Sequence, residues 1–131
     1  MAGYSGTPLP KKLGIKAGST VALVGAPADF EATLGDLPEA TTILEGPSPE
    51  AAVTLWFLDS FATLEEGIEE MAEISGGGRL WICWPKKASG IATDVTQNQV
   101  RRAGLAAGIV DFKICAIDAT WSGLCFTRRK T

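Results

Sequence analysis

Hydrophobic residues along the chain form short, unbroken runs that are separated by polar and glycine-rich segments. The clearest run, residues 80–84, follows three glycines and ends at Pro85. A run that is apolar at every position is typical of a parallel strand covered on both faces. Proline ends such a strand because it has no N–H to donate. Residues 19–24 and 53–58 have the same pattern, so we expect three buried strands.

Two segments have helical patterns. Within residues 61–71, apolar residues recur at three- and four-residue steps. Thr63 and Glu66 have the spacing of a capping box, which predicts where this helix begins. A second helix is expected to begin at Thr93 or Thr96, either of which can cap it, and to end near residue 107.

The end of the chain has the pattern of a β-hairpin. Residues 109–117 and 124–127 are apolar runs, and only the six residues 118–123 join them. So short a connection can join only antiparallel neighbours. We therefore expect Cys115 and Cys125 to lie close together on adjacent antiparallel strands, as reduced thiols.

The first strand leads into Gly25, Ala26 and Pro27, and a helix is expected over residues 28–34. Glycine permits close backbone approach, and the N–H groups at a helix N-terminus can bind an anion. A plain strand-to-helix turn would use the same residues, and neither complete phosphate-loop signature is present. Both interpretations stay open.

Strands that alternate with helices predict an α/β fold with a mostly parallel sheet. Three features resemble the methyltransferase version of the Rossmann-like fold: a first strand that leads into GAP and a helix, the phrase GGGRLWI before a late strand, and a closing antiparallel hairpin. The resemblance implies a small three-layer domain with the sheet order 2-1-3-4-6-5. One strand and two helices of the usual plan are missing.

The same resemblance bears on a cofactor. Where such enzymes carry a glycine-rich first loop for S-adenosylmethionine, this chain has VGAPADF. A short edge strand is expected at residues 41–44, and Glu45 follows it. An acid at that place could meet ribose hydroxyls. The cofactor itself is left unknown.

A second resemblance covers most of the chain. The blocks YSGTPLPKKLGIK, LWICWPKKASG, GLAAGIVDFKICAID and TWSGLCF resemble a family of small bacterial proteins catalogued only as a domain of unknown function. This resemblance implies a bacterial, cytoplasmic protein. It supplies no activity, substrate or catalytic residue.

Length and composition suit a single domain. The chain has 131 residues, of which 46% are hydrophobic, and a chain of this size can bury one core. We expect residues 19–131 to form that domain and residues 1–18 to form an N-terminal arm. Leu9 and Leu13 could anchor a short helical turn of the arm. The arm then either docks over the sheet near the site or frays.

The sequence also predicts the compartment. No run approaches the roughly 18 apolar residues of a membrane span, and the first residues lack the apolar stretch of a secretory signal. A cytoplasmic protein without a membrane partner is expected. Its three cysteines have no C-x-x-C spacing, so they are interpreted as core thiols, with no disulfide and no metal site.

Charge is distributed unevenly along the chain. The formal net charge is -3, yet residues 28–75 hold twelve of the fifteen acids and no lysine or arginine. Each helix could simply have a solvated charged face. The alternatives are a homo-oligomer that joins opposite charges, or an anionic partner at the basic end. Nucleic acid is an improbable partner because the total charge is negative.

The carboxyl ends of the predicted parallel strands define the candidate site. Ligands of open α/β sheets bind at that edge. Lysines there could pair with phosphate or carboxylate, hydroxyls could orient it, and an indole could stack on a planar group. The predicted ligand-binding residues are Gly25, Ala26, Asp59, Lys86, Lys87, Asp118, Thr120, Trp121 and Ser122.

Three functions are compatible with these residues. The first is a Rossmann-like module, without catalysis, that binds a small anionic or nucleotide-like ligand at the carboxyl edge of the sheet. The second is a protein-interaction or regulatory subunit that uses its acidic helix and basic C-terminal tail. The third is a small, methyltransferase-like enzyme. The chain has no histidine, so a general base would have to be Asp59, Asp118 or a lysine.

Overall fold

A computed structural model of the protein describes residues 7–129. The first six residues of the predicted arm and the last two of the basic tail lie outside this range. Six strands form one sheet in the order β2-β1-β3-β4-β6-β5. The strands are β1 (Thr20–Val24), β2 (Thr42–Glu45), β3 (Val53–Phe57), β4 (Arg79–Pro85), β5 (Ile109–Ala116) and β6 (Trp121–Arg128).

The pairing of the strands confirms the predicted fold. Strands β2, β1, β3 and β4 are parallel neighbours, whereas β6 is antiparallel to both β4 and β5. The chain is therefore a Rossmann-like α/β protein with the sheet order that the methyltransferase-type fold implies. The predicted short second strand lies at one edge of the sheet.

Helices cover both faces of the sheet. They are α1 (Leu9–Leu13), α2 (Phe30–Leu34), α3 (Phe61–Ile74) and α4 (Gln97–Ala106), and a single 3-10 turn, Lys87–Ser89, follows β4. Helices α1 and α2 pack on one face, on a core that contains Leu13, Phe30 and Trp81. Helices α3 and α4 pack on the other face, on a core that contains Leu64 and Val100. Because both faces are covered, every residue of β3 is buried.

The helix starts differ in part from the predictions. Helix α3 is capped by Ser60, whose Oγ accepts a hydrogen bond from the Thr63 N–H at 3.2 Å, so the predicted cap at Thr63 is wrong by three residues. Helix α4 begins after Thr96, the second of the two predicted caps, which forms a capping box with Gln99. Helix α2 begins at Phe30 rather than residue 28, because the turn after β1 continues until the Phe30 N–H bonds the Pro27 carbonyl.

The hairpin places the cysteines nearly as predicted. Cys115 and Cys125 lie on the adjacent antiparallel strands β5 and β6, and they are free thiols. They are not direct partners, because Cys115 lies opposite Gly123 and Cys125 lies opposite Lys113. The two cysteines are therefore diagonal neighbours across the ladder.

Helix α1 is tied to the sheet by two hydrogen bonds to its last carbonyls. The indole Nε1 of Trp81, a fully buried residue, donates to the Leu13 carbonyl at 3.0 Å. The Lys113 ammonium on β5 donates to the Lys12 carbonyl at 2.6 Å. Carbonyls at a helix C-terminus have no partner within the helix, so the sheet supplies one. This part of the arm is docked, although the division into an arm and a domain stays a prediction.

We predict that the Trp81 hydrogen bond stabilises the fold measurably. Trp81→Phe keeps an aromatic ring and removes the donor, which leaves a buried carbonyl unpaired. Trp84→Phe is the matched control, because Trp84 is also buried and its indole has no hydrogen-bond partner within residues 7–129. Urea denaturation should show that Trp81→Phe lowers the free energy of unfolding by about 1–3 kcal/mol more than Trp84→Phe does. Equal losses would mean that the hydrogen bond adds nothing to the packing.

Candidate functional site

The carboxyl edge of the sheet contains a topological switch point. Strand β1 pairs with β2 on one side and with β3 on the other. After β1 the chain therefore forms β2 on one side of it and then crosses to form β3 on the opposite side. Crevices at such points are where open α/β sheets bind ligands. Gly25 follows β1 directly, Asp59 follows β3 by two residues, and Lys86 follows β4. Two separate cavities open along this edge.

The first cavity, which we call the β1 cavity, has a volume of about 320 Å³. Its walls are the turn after β1, with Gly25 and Ala26, and the end of β2, with Glu45 and Gly46. The first turn of α2 adds Glu31. A backbone hydrogen bond of 2.8 Å from the Gly46 N–H to the Leu23 carbonyl holds the two walls together.

Gly25 is required by the shape of the turn. Its φ angle is +69°, a left-handed conformation that side chains rarely adopt. A Cβ atom at this position would lie 2.8 Å from the backbone oxygen of Phe57 in β3. The turn therefore lies directly against the end of β3, and the β1 cavity opens beside it.

The charge of the β1 cavity opposes an anionic ligand. The carboxylates of Glu31 and Glu45 line it, and no lysine or arginine within residues 7–129 does so. Helix α2 has only five residues, so its N-terminus offers little of the dipole that would favour an anion. The geometry suits a polar ligand that is neutral or positively charged.

The second cavity, which we call the arm cleft, has a volume of about 810 Å³. It lies between α1, the end of α2, the segment after β4 and the β5–β6 turn. Lys12 of α1 and Lys86 line it, together with Asp36 and Asp118. Leu34 and other apolar residues contribute most of the remaining surface.

Asp118 and Thr120 shape the turn that borders the arm cleft. One carboxylate oxygen of Asp118, Oδ1, accepts hydrogen bonds from the N–H groups of Thr120 and Trp121, each at 2.8 Å. The Thr120 carbonyl in turn accepts from the Lys86 N–H at 2.8 Å. These bonds hold the residue after β4 next to the β5–β6 turn.

The remaining predicted residues are not brought together with these. Trp121 packs edge to face on Phe57, with ring centroids 5.1 Å apart, so its ring belongs to the core. Ser122 is the register partner of Trp84, which belongs to the core beneath α3 and α4 on the opposite face. Lys87 is exposed and lines neither cavity.

Asp59 also lies apart from both cavities. It is exposed, and its carbonyl accepts a hydrogen bond from the Thr93 hydroxyl at 2.7 Å. The predicted site thus divides into a part beside Gly25 and a part beside Lys86, with Asp59 in neither. No three carboxylate or thiol groups in the described part of the chain come together as a metal site would require.

The three thiols are protonated at neutral pH. Burial raises the pKa of Cys125 to about 12, against the smaller opposing effect of the Arg79 charge. Burial likewise raises the pKa of Cys83 and of Cys115. At Cys115 the charges of Lys12, Lys113 and Lys86 each act in the opposite direction. These thiols are weak nucleophiles, and three lysine charges lie around Cys115.

Residues 31 and 12 were not among the predicted site residues. Glu31 lies in the first turn of α2, beside the Gly25 turn. The sequence predicted a helix start at residue 28, which would have placed Glu31 further along the helix. Lys12 reaches the site because α1 docks on the sheet. One signal in the sequence pointed to it, the pair of lysines in an arm that has apolar anchors.

Comparisons with known proteins support the fold. No family model and no curated protein matches the chain. A SAM-dependent methyltransferase from Aquifex aeolicus is similar in structure, with a TM-score of 0.61 and 15% identity over 88% of this chain and 85% of that one. The fibrillarin pre-rRNA processing protein of Methanococcus jannaschii has a TM-score of 0.61 and 12% identity over 95% of this chain and 70% of that one.

A third similar structure is a protein of the NADB-Rossmann superfamily from Streptococcus agalactiae. Its TM-score is 0.57, with 8% identity over 95% of this chain and 69% of that one. At such identities the likeness shows a shared fold alone. The resemblance to a bacterial family of unknown function stays a prediction. No helix within residues 7–129 is both long and apolar enough to cross a membrane.

We predict that Gly25 tolerates substitution less well than another glycine of the same cavity. Gly46 has a φ angle of +92°, and a Cβ there would meet nothing within 4 Å. Gly46→Ala should therefore cost only the left-handed backbone strain, about 1–2 kcal/mol. Gly25→Ala should cost at least about 1 kcal/mol more, because its Cβ overlaps a backbone oxygen. Chemical denaturation measures both losses, and equal losses would show that the turn can move away from β3.

Proposed function

We propose that the protein is a Rossmann-like module that binds a small, nucleoside-type ligand in the β1 cavity. The observation that carries this proposal is that the Gly25 turn and the Glu45 carboxylate line one cavity. In dinucleotide-binding folds, an acid about 20 residues after the glycine turn accepts hydrogen bonds from ribose hydroxyls. Glu45 stands 20 residues after Gly25 and ends β2. It is exposed and free to accept such bonds.

The charge of the cavity narrows the class of ligand. Glu31 and Glu45 favour a ligand without a phosphate group, since two like charges would face it. S-adenosylmethionine has ribose hydroxyls and a sulfonium cation, and the similar structures include a SAM-dependent methyltransferase and an O-methyltransferase in complex with this molecule. It is therefore the first compound to test. The sequence also suggested an anionic ligand, on the basis of its lysines. No lysine within residues 7–129 lines the β1 cavity, so such a ligand would bind on the Lys86 side of the edge.

The proposal is for binding and assigns no catalytic residue. Asp59, which the sequence offers as a general base, lines neither cavity. Asp118 directs one carboxylate oxygen at two backbone N–H groups. We propose that the described side chains at the β1 cavity recognise a ribose and a cation.

One observation favours protein interaction as a second candidate. A groove of about 370 Å³ runs between α3 and α4, with Ile68 and Ala103 at its base and Glu65 and Arg102 at its rims. The exposed glutamates of α3 have no ion pair within residues 7–129. A partner with a basic helix would cover this groove.

We predict that S-adenosylmethionine stabilises the protein through Glu45. At a hundredfold excess over Kd, a ligand that binds only the folded state adds about 2.7 kcal/mol of stability, which for a domain of this size is a rise of several degrees in Tm. Glu45→Gln removes the charged acceptor of the ribose hydroxyls, so Kd should rise by about tenfold to a hundredfold. Thermal melts across a ligand titration measure both effects.

Glu39→Gln is the matched control, because Glu39 is an exposed acid just before β2 that lies outside the cavity. It should leave the ligand effect unchanged. Adenosine should also stabilise the protein, and AMP should do so less than adenosine because its phosphate faces two carboxylates. A larger effect of AMP than of adenosine, or an unchanged response in Glu45→Gln, would contradict the proposal. A flat response to every nucleoside, together with binding of a basic helical peptide, would favour the α3–α4 groove instead.

A further inference from the structure

We propose that the arm cleft is a second ligand site, which binds a molecule that has an apolar body and one anionic group, a carboxylate or a phosphate, held between Lys12 and Lys86. This inference goes beyond the proposed function, because the cleft is separate from the β1 cavity and is lined by two lysines, whereas no lysine or arginine within residues 7–129 lines the β1 cavity. The size of the cleft, its apolar surface and its two lysines, which are unpaired within residues 7–129, support such a site.

The size and surface of the cleft fit a small organic molecule. Its volume of about 810 Å³ is within the range of roughly 300–1,000 Å³ that is typical of ligand pockets. Leu9 and Ile117 line it together with Leu34, and the last two are almost completely buried. Such a surface would bind an apolar body by removing it from water.

Lys12 and Lys86 are both available to an anion. Both are half-buried and line the cleft from opposite sides, one on α1 and the other after β4. Neither ammonium group has an ion pair or a hydrogen bond within residues 7–129, where the Arg101–Asp111 pair is the one salt bridge. Both charges lower the pKa of the same thiol, that of Cys115, against the effect of burial. Both lysines therefore lie on the Cys115 side of the cleft.

Neither acid of the cleft, Asp36 or Asp118, forms an ion pair with these lysines. Asp118 is turned toward the β5–β6 turn, where its Oδ1 accepts two backbone N–H groups at 2.8 Å. Asp36 follows the end of α2 and is exposed to water, which screens its charge. An anion that bridged Lys12 and Lys86 would therefore form charge-assisted hydrogen bonds in a partly dry site.

The arm holds Lys12 in a defined place. The carbonyls of Lys12 and Leu13 accept hydrogen bonds from Lys113 and from the buried indole of Trp81. Both bonds involve the backbone of α1, so the Lys12 side chain is free to meet a ligand. A site whose parts are ordered before binding loses less entropy when the ligand arrives.

Isothermal titration with three naphthalene compounds tests this site. The probes share one apolar body: 1-naphthoate has a carboxylate, 1-naphthyl phosphate has a phosphate, and 1-naphthol is uncharged. Both anions should bind with a Kd below about 1 mM, and 1-naphthol about tenfold or more weakly. Lys12→Gln and Lys86→Gln should each weaken both anions by about tenfold and leave 1-naphthol unchanged.

The neighbouring lysines supply matched controls. Lys11 is next to Lys12 in the sequence, and Lys87 is next to Lys86. Both neighbours are exposed and line neither cavity. Lys11→Gln and Lys87→Gln should bind the anions as the unchanged protein does. Because all four lysines have partly or fully exposed side chains, thermal melts should show that each variant folds.

The results separate this site from the β1 cavity. Glu45→Gln should bind 1-naphthoate normally, and the Lys12 and Lys86 variants should respond normally to S-adenosylmethionine, so either site can fail alone. Equal affinity for 1-naphthol and 1-naphthoate would overturn the proposal, as would undiminished anion binding in the Lys12 and Lys86 variants. The absence of binding by all three probes would also overturn it. Stronger binding of 1-naphthylmethylamine than of 1-naphthoate would show that Asp36 and Asp118 determine the charge of the cleft.

Discussion

The carboxyl edge of this protein depends on the close contact between the turn after β1 and the end of β3. Only a residue without a Cβ fits there, because a Cβ on Gly25 would lie 2.8 Å from the Phe57 oxygen. The contact fixes where the chain leaves the sheet, and hence where α2 begins. On the other side of the turn, the Gly46 N–H bonds the Leu23 carbonyl and brings the Glu45 carboxylate to the same cavity. The proposed ribose site is thus formed by backbone geometry, and one side chain gives it its chemistry.

Helix α2 divides that edge into two environments. Its first turn, with Glu31, borders the β1 cavity, whereas Thr33 in its last turn borders the arm cleft. Beneath it, Phe30 packs edge to face on Phe57, with centroids 4.8 Å apart, and Phe57 packs on Trp121 in the same way. This aromatic row belongs to the core on the α1–α2 face of the sheet. Within residues 7–129 the two cavities have no lining residue in common, so the glutamates of one and the lysines of the other belong to separate sites.

Much of the fold could be predicted because its signals are local. An unbroken apolar run identified β4, a six-residue connection made β5 and β6 antiparallel, and Thr96 marked the start of α4. The order of the strands came from a resemblance and is confirmed by the pairing. The cap of α3 was misplaced because Ser60 and Thr63 both have a hydroxyl that can cap a helix. In the structure these two hydroxyl oxygens lie 2.8 Å apart.

The site was harder to predict because its parts meet through distant contacts. Lys113 bonds a carbonyl 101 residues away, and Trp81 bonds one 68 residues away; these contacts place Lys12 at the cleft. The direction of side chains was also hidden. Trp121 and Ser122 are adjacent in β6 and so point to opposite faces of the sheet. Their side chains therefore cannot belong to the same site.

A nuclear magnetic resonance titration with S-adenosylmethionine distinguishes binding in the β1 cavity from binding in the arm cleft, because it reports on each backbone amide. If the ligand binds in the β1 cavity, the amide signals of Gly25, Ala26 and Gly46 shift as it is added, and the signals of Lys86 and Ser89 stay in place. Shifts confined to Lys86 and Ser89, or no shift at any residue of the β1 cavity, would contradict the proposed ribose site.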